Sequence, residues 1–276
     1  MRIKYLIVLA LFPAMLSAQE LYTVKGRVVN EQGENVEYVQ LGMPRRQIGV
    51  ISTADGRFEI EVPCDTLEFF HVSYRKACFP VTGAADDVLI VLQGQELEPA
   101  VFIGGNTKEK YLMRPGTAAL KNLGVITTAP DGEHPKGREL GSVAKAAKPF
   151  LVKDILFSVL SNHIPGCVAS INIYRIEGKN ESFVDVLHKP IYFDVPVSDE
   201  QQRFDIQPEE SILLEPGRYF IAFQIVGYDR QVTITPDMTM DFSIYLKNSY
   251  LRETALGEMK PFPVNIGIAV KGLEYQ

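Results

Sequence analysis

Residues 57–62, RFEIEV, alternate without a break: Phe58, Ile60 and Val62 fall on one side, Arg57, Glu59 and Glu61 on the other. A period of two predicts a strand with one face in a core and one in water. Ala54-Asp55-Gly56 precedes it, and Asp and Gly tolerate the left-handed backbone of a tight turn. STADGRFEIEVP (52–63) is therefore expected to be a hairpin that stops at Pro63. Similar β-rich stretches precede it at 21–30, 36–43 and 47–53, with a turn signal at NEQG. Two more follow at 67–74 and 87–92. No amphipathic helix of useful length interrupts them. Many short strands with frequent turns predict a small β-sandwich over 19–98.

Pro99, Gly104, Gly105, Asn106, Pro115 and Gly116 mark 99–120 as a linker. Strand patterns return at 123–128, 149–160, 167–176, 184–195, 202–206, 218–226, 231–235, 240–246 and 263–271. Turn signals stand at 130–132, 162–166, 177–180, 215–217 and 235–237. SVAKAAK (142–148) reads equally as a short helix or an edge strand. This density of strands predicts a second, jelly-roll-like sandwich over 121–276. The fold class expected is all-β, with two β-sandwich domains.

Within 21–98, VKGRVVNEQGENVEYVQL, STADGRFEIEVP and LEFFHVSY resemble the carboxypeptidase regulatory-like domain, a seven-stranded sandwich of transthyretin-like fold. Val24, Gly26, Val28, Gly33, Thr53, Asp55, Gly56, Phe58, Ile60, Pro63 and Tyr74 fit its pattern. Asn35 departs where proline is common, and Ser73 where glycine is common. ELEPAVFIGG (96–105) resembles the linker strand that follows this domain in TonB-dependent receptors of Gram-negative bacteria. The chain lacks the repeated aromatic-flanked strands of a receptor barrel. The segments 137–142, 169–176 and 214–225 faintly resemble a C-terminal sandwich found beside the regulatory-like domain in exported proteins. The resemblance implies an accessory module and carries no functional residue over.

The first residues, MRIKYLIVLALFPAMLSAQE, join a basic start to an apolar run and small residues at Ser17 and Ala18. That pattern predicts a signal peptide over 1–18 and an exported chain in the periplasm or at the cell surface. A lipoprotein carries Cys at the cleavage point; Gln19 stands there, so a lipid anchor is not expected. The net charge of −6 is a poor match for nucleic acid, which needs clustered Lys and Arg. No later segment reaches membrane-spanning length. Three cysteines, Cys64, Cys78 and Cys167, cannot all pair within one chain. Cys64 and Cys78 are the plausible disulfide, against the alternative of small buried thiols.

Candidate chemistry is sparse. His71, His134, His163 and His188 form no close metal pair, and His71 is expected at a core edge behind Phe69 and Phe70. G-x-S-x-G is absent, and Cys167 beside Val168 and Ile171 reads as a core-facing thiol. The acid pairs Asp86–Asp87, Asp199–Glu200 and Glu209–Glu210 sit beside turns and are expected in solvated loops. No calcium loop or phosphate-binding glycine loop is found. Arg45–Arg46 and Arg75–Lys76 are isolated basic pairs. There is no Trp; Tyr111, Tyr192, Tyr228, Tyr250 and Tyr275 lie near strand ends, where a ring is free to line a binding surface. Asn180-Glu-Ser182 matches a glycosylation sequon and reads as coincidence in a bacterial chain.

The expected function is a non-enzymatic exported binding or accessory protein of the cell envelope, without cofactor or metal. Its partner is expected to be a glycan, a peptide or an envelope protein, with strand addition at a sheet edge as one physical route. Two rivals stand beside it: a glycosidase or peptidase with its site on loops of 121–276, and a structural subunit of an envelope assembly.

Overall fold

The computed structural model describes residues 20–95, 104–114, 124–126, 137–229, 238–240, 242–243 and 249–276. It is all-β, with two sandwiches. The first contains β1 (Tyr22–Asn30), β2 (Gln40–Met43), β3 (Ile48–Ile51), β4 (Arg57–Val62), β5 (Thr66–Phe70), β6 (Ala77–Pro80) and β7 (Ala85–Leu92). These form a three-stranded sheet in the order β4-β1-β7 and a four-stranded sheet in the order β3-β2-β5-β6. β1 runs antiparallel to β4 and parallel to β7. The inward residues of β4 meet Val24, Val28, Leu41, Leu67 and Phe69 in one core, with the Phe58 and Phe69 rings 5.4 Å apart, edge to face.

The alternation of β4 is as expected, yet STADG is not a hairpin. β3 pairs with β2 in one sheet, and β4 pairs with β1 in the other. Ala54-Asp55-Gly56 is thus the turn by which the chain changes sheets. Thr53 N–H donates to Arg57 O at 2.8 Å, and Gly56 N–H donates to Thr53 O at 2.9 Å. Gly56 adopts φ 76°, and a Cβ there would press on the carbonyl oxygens of Val28 and Val36. The stretch 36–43 shortens to β2 because Tyr38 takes a left-handed φ of 50°. The stretch 67–74 ends early at Phe70, and β6 follows where no strand was expected.

The second sandwich begins inside the segment expected to be linker, where Thr107–Met113 forms β8. Then come β9 (Gly124–Ile126), β10 (Glu139–Ala146), β11 (Phe150–Asn162), β12 (Val168–Glu177), β13 (Ser182–Asp185), β14 (Ile191–Asp194), β15 (Gln202–Ile206) and β16 (Ile212–Leu214). β17 (Gly217–Gly227), β18 (Met238–Met240), β19 (Phe242–Ser243), β20 (Ser249–Arg252), β21 (Lys260–Phe262), β22 (Asn265–Ile266) and β23 (Ala269–Tyr275) complete it. One sheet runs β13-β12-β17-β10-β20-β21, with β14 also on β12. The other runs β8-β23-β11-β18-β9, with β15 and β16 on β11. β19 and β22 form a separate pair.

SVAKAAK is strand as far as Ala146, not helix: Ser142 lies between β17 and β20, while Val143–Ala146 pair with β17 alone among the described residues, as an edge does. The stretch 184–195 divides into β13 and β14, while β16, β20 and β21 were not expected at all. The stretch 231–235 and the turns at 130–132 and 235–237 lie outside the described residues. Ile171, Ile173, Ile221, Phe223 and Ile225 form the inner layer against Ile155, Phe157 and Val159 of β11.

The outer face of β12, β17, β10 and β20 is also covered. Near its Phe220 end, Tyr174, Phe220, Tyr250 and Phe183 make a satellite aromatic cluster. At its other end the first sandwich rests on it, through Ile51 and Tyr38 against Val226, Ala255, Val168 and Tyr192. The fit is close. A Cβ at Gly49 would overlap the Ala255 carbonyl oxygen, and one at Gly227 would stand 2.8 Å from the Tyr38 ring. Gln47 Oε1 accepts from Glu258 N–H at 2.9 Å, and Ser73 Oγ donates to the His188 carbonyl at 2.8 Å.

Candidate functional site

An open groove of about 1000 Å³ lies on the outward side of the β4-β1-β7 sheet. Alternation directs Lys25 and Arg27 of β1, Arg57 and Glu59 of β4, and Leu89 of β7 into it. Lys25 Nζ meets Glu59 Oε1 at 2.9 Å, and Arg57 Nε meets Asp55 Oδ2 at 3.2 Å. The Arg27 side chain has neither ion pair nor hydrogen bond among the described residues. Register sets it directly between Arg57 on one side and Leu89 on the other. Leu89 is 58% exposed and Val91 48%, both on this face. Asp86 and Asp87 bulge opposite Lys25, with Asp87 at φ 56°, and close one end of the groove.

A second polar locus is sealed in the seam between the sandwiches. His71 is buried there, and burial pushes its imidazole down to about 4, so it is neutral at neutral pH. Ser73 N–H donates to its Nδ1 at 3.2 Å, which leaves the proton on Nε2, 3.5 Å from the Tyr192 hydroxyl. Burial raises the Tyr192 phenol. Gln40, Asn172 and Gln224 join these around a cavity of about 20 Å³, room for one water-sized molecule.

Beneath it lies a buried charged network. Glu139 and Arg252 are register partners on β10 and β20, with Oε2 and Nη1 3.2 Å apart. Asn172 Nδ2 donates to Glu139 Oε1 at 2.7 Å, and the Tyr174 hydroxyl donates to Oε2 at 3.3 Å. Gln224 Oε1 accepts from Asn172 at 3.0 Å, and Gln224 Nε2 donates to Gly137 O at 3.1 Å. The Arg252 guanidinium lies 5.4 Å from the Tyr174 ring centroid. Asp185 stands nearby with Oδ1 bound to Leu187 N–H and Oδ2 unpartnered; burial, aided by the Glu139 charge, pushes its carboxyl up to about 7. This network holds the outer sheet face together and is closed to a ligand.

The residues singled out in the sequence do not converge. His71, expected half-buried at a core edge, is buried in the seam. His163 Nε2 meets Asp199 Oδ1 at 2.7 Å on the surface, and His188 contributes its carbonyl to the seam. His134 lies outside the described residues. Cys167 is buried, with its thiol pushed up to about 12 chiefly by burial, the form least suited to a nucleophile. Cys64 and Cys78 are both free and exposed, so the plausible disulfide is not formed. Arg46 pairs with Asp65, and Lys76 with Glu68. Tyr250 is buried, Tyr192 is half-buried in the seam, and Tyr111 is exposed on β8. Among the described residues, no group of three or more His, Cys, Asp or Glu is arranged to hold a metal ion, and no helix is long and apolar enough to cross a membrane.

The groove residues had one sequence signal that went unused. VLIVL (88–92) is apolar at both parities, too apolar for a strand with one wet face.

No family model matches the chain, and no curated protein matches it. The resemblance to the regulatory-like domain therefore rests on its own residues. Among solved structures, a DUF3823 family protein from Parabacteroides merdae is similar over 89% of this chain and 98% of its own, at 9% identity and a TM-score of 0.23. A DUF3823 family protein from Bacteroides ovatus is similar over 75% of this chain and 97% of its own, at 10% identity and a TM-score of 0.21. Neither likeness passes a residue role to this chain.

Proposed function

We propose that this is an exported, non-enzymatic binding or accessory protein of a bacterial cell envelope, and that the β4-β1-β7 face is its recognition surface. The observation that carries the reading is the pairing of exposed Leu89 and Val91 with the unpaired Arg27 on one open sheet face. Apolar side chains left in water beside an uncompensated charge favour a partner that covers both. The basic, then apolar, then small-residue start supports export, and the regulatory-like resemblance supports an accessory role. The buried thiol of Cys167, its pKa pushed up by burial, weighs against its use as a nucleophile in a hydrolase.

The partner belongs to the envelope: a glycan, a peptide or a protein surface. The test is a glycan array and a pull-down with residues 19–276, run beside Leu89→Lys and Val91→Lys variants. A partner that the parent chain retains and both variants lose supports the reading. A partner retained equally by all three moves recognition away from this face.

A further inference from the structure

Sheet edges in folded proteins are guarded by charges, prolines, bulges or short length. Most edges here follow that rule. β4 carries Arg57, Glu59 and Glu61 outward, β6 is short and ends at Pro80, and β8 carries Lys108, Glu109 and Lys110. β7 is guarded at its start by the Asp86–Asp87 bulge, and just past its end Gln93–Gln95 bridge to Ser73–Arg75. Its remaining residues, Val88–Leu92, hold no charge and no proline. Among the described residues β7 pairs with β1 alone, so its other backbone edge is unpaired.

The side chains beside that edge specify a partner. Leu89 and Val91 are two residues apart on the exposed face, the spacing of alternate side chains in an extended chain. Arg27 lies one strand inward of Leu89, and Arg57 one strand further. Two guanidiniums directly opposite each other repel. Asp55 offsets Arg57, and among the described residues no side chain pairs with the Arg27 guanidinium. A carboxylate reaching over Leu89 supplies the missing charge and takes a planar guanidinium well.

We infer that β7 accepts an extended, acidic peptide segment of a partner protein as an added strand. The segment pairs its backbone with Val88–Leu92, sets alternate apolar side chains beside Leu89 and Val91, and turns an Asp or Glu toward Arg27. This deepens the reading of the β4-β1-β7 face as the recognition surface and rests on it. The backbone supplies affinity, and the side-chain alternation and the arginine supply selectivity.

The test is selection of a displayed library of random twelve-residue peptides on residues 19–276, beside a glycan array. The enriched peptides are expected to alternate apolar residues without proline and to carry Asp or Glu. Arg27→Glu, with an unchanged circular dichroism spectrum, is expected to weaken the best of them at least tenfold. Bound peptide is expected to slow hydrogen exchange at alternate amides of Val88–Leu92. Failure to enrich peptides, enrichment of basic ones, or affinity unchanged by Arg27→Glu overturns the inference. If glycans bind instead and Leu89→Lys abolishes that binding, the face stands as the recognition surface and the peptide is wrong. If neither substitution affects any partner found, both readings fall.

Discussion

Arg252 stands directly across the β-ladder from Glu139, its Nη1 3.2 Å from Oε2; Glu139 is fully buried and Arg252 largely so. The pair sits on the sheet's outer face, where a charge ordinarily meets solvent. Here the aromatic cluster and the first sandwich cover that face, so each charge depends on the other. Arg252→Met is expected to destabilise the protein by about 3–5 kcal/mol, because it strands a buried carboxylate. Replacing Glu139 by Leu as well is expected to recover part of that loss. Urea denaturation of the single and double variants measures both.

Asp185 behaves in the opposite sense. Its carboxyl is raised in the folded chain to about 7 from an ordinary value of 3.8, so its contribution is intact below about pH 4 and is lost as pH rises through 7. Asp185→Asn keeps an oxygen for the Leu187 N–H and removes the buried charge. At pH 8 the variant is expected to be more stable than the parent by roughly 1–4 kcal/mol, a gap that closes near pH 4. Melting curves at the two pH values test it.

His71 titrates the other way. Its folded value of about 4 lies below the ordinary 6.5, so the unfolded chain takes up the proton first as pH falls. Stability is then lost between about pH 6.5 and 4, by at most about 3 kcal/mol for this residue. His71→Gln is expected to flatten that acid limb, read from urea midpoints at pH 7 and pH 4.5. An unchanged slope would show that His71 is solvated in solution.

Gly49 and Ala255 are a steric test of the seam. Gly49→Val has no room beside the Ala255 backbone and must push the sandwiches apart or distort β3. A loss of about 2–3 kcal/mol is expected, with new protease cleavage near the seam.

The thiols give a simple readout. Cys64 and Cys78 are expected to react promptly with a water-soluble disulfide reagent, and Cys167 only after unfolding. Two equivalents in the native protein and a third in denaturant is the expected titration.

β4 was readable because its two faces meet different surroundings, and the alternation reports that directly. β17 was recognised as a strand, but its two covered faces were not, because GRYFIAFQIVG buries residues of both parities. The chain reads Asp55-Gly56 as a turn in either setting; only the pairing of β3 with β2 reveals that the turn joins two sheets. β16, β20 and β21 are three or four residues long, too short for a periodic signal. The Glu139, Asn172, Gln224 and Arg252 network is scattered along more than a hundred residues of sequence, and each member looks like an ordinary wet-face residue until strand order brings them together. The Arg27, Arg57 and Leu89 row failed to show for the same reason: it runs across the strands, not along one.

β8 pairs with β23, joining Lys110 to Glu274 across 164 residues. One sheet of the second sandwich therefore lacks an inner member until β23 has been made. Such distant closure is slow, because most of the chain must be arranged before the contact repays its lost freedom. While it waits, β11 presents bare backbone and apolar side chains to its neighbours, the state in which β-rich chains stick to one another. Loss of β23, Ala269–Tyr275, should therefore lower the yield of soluble protein far more than its few side chains would suggest.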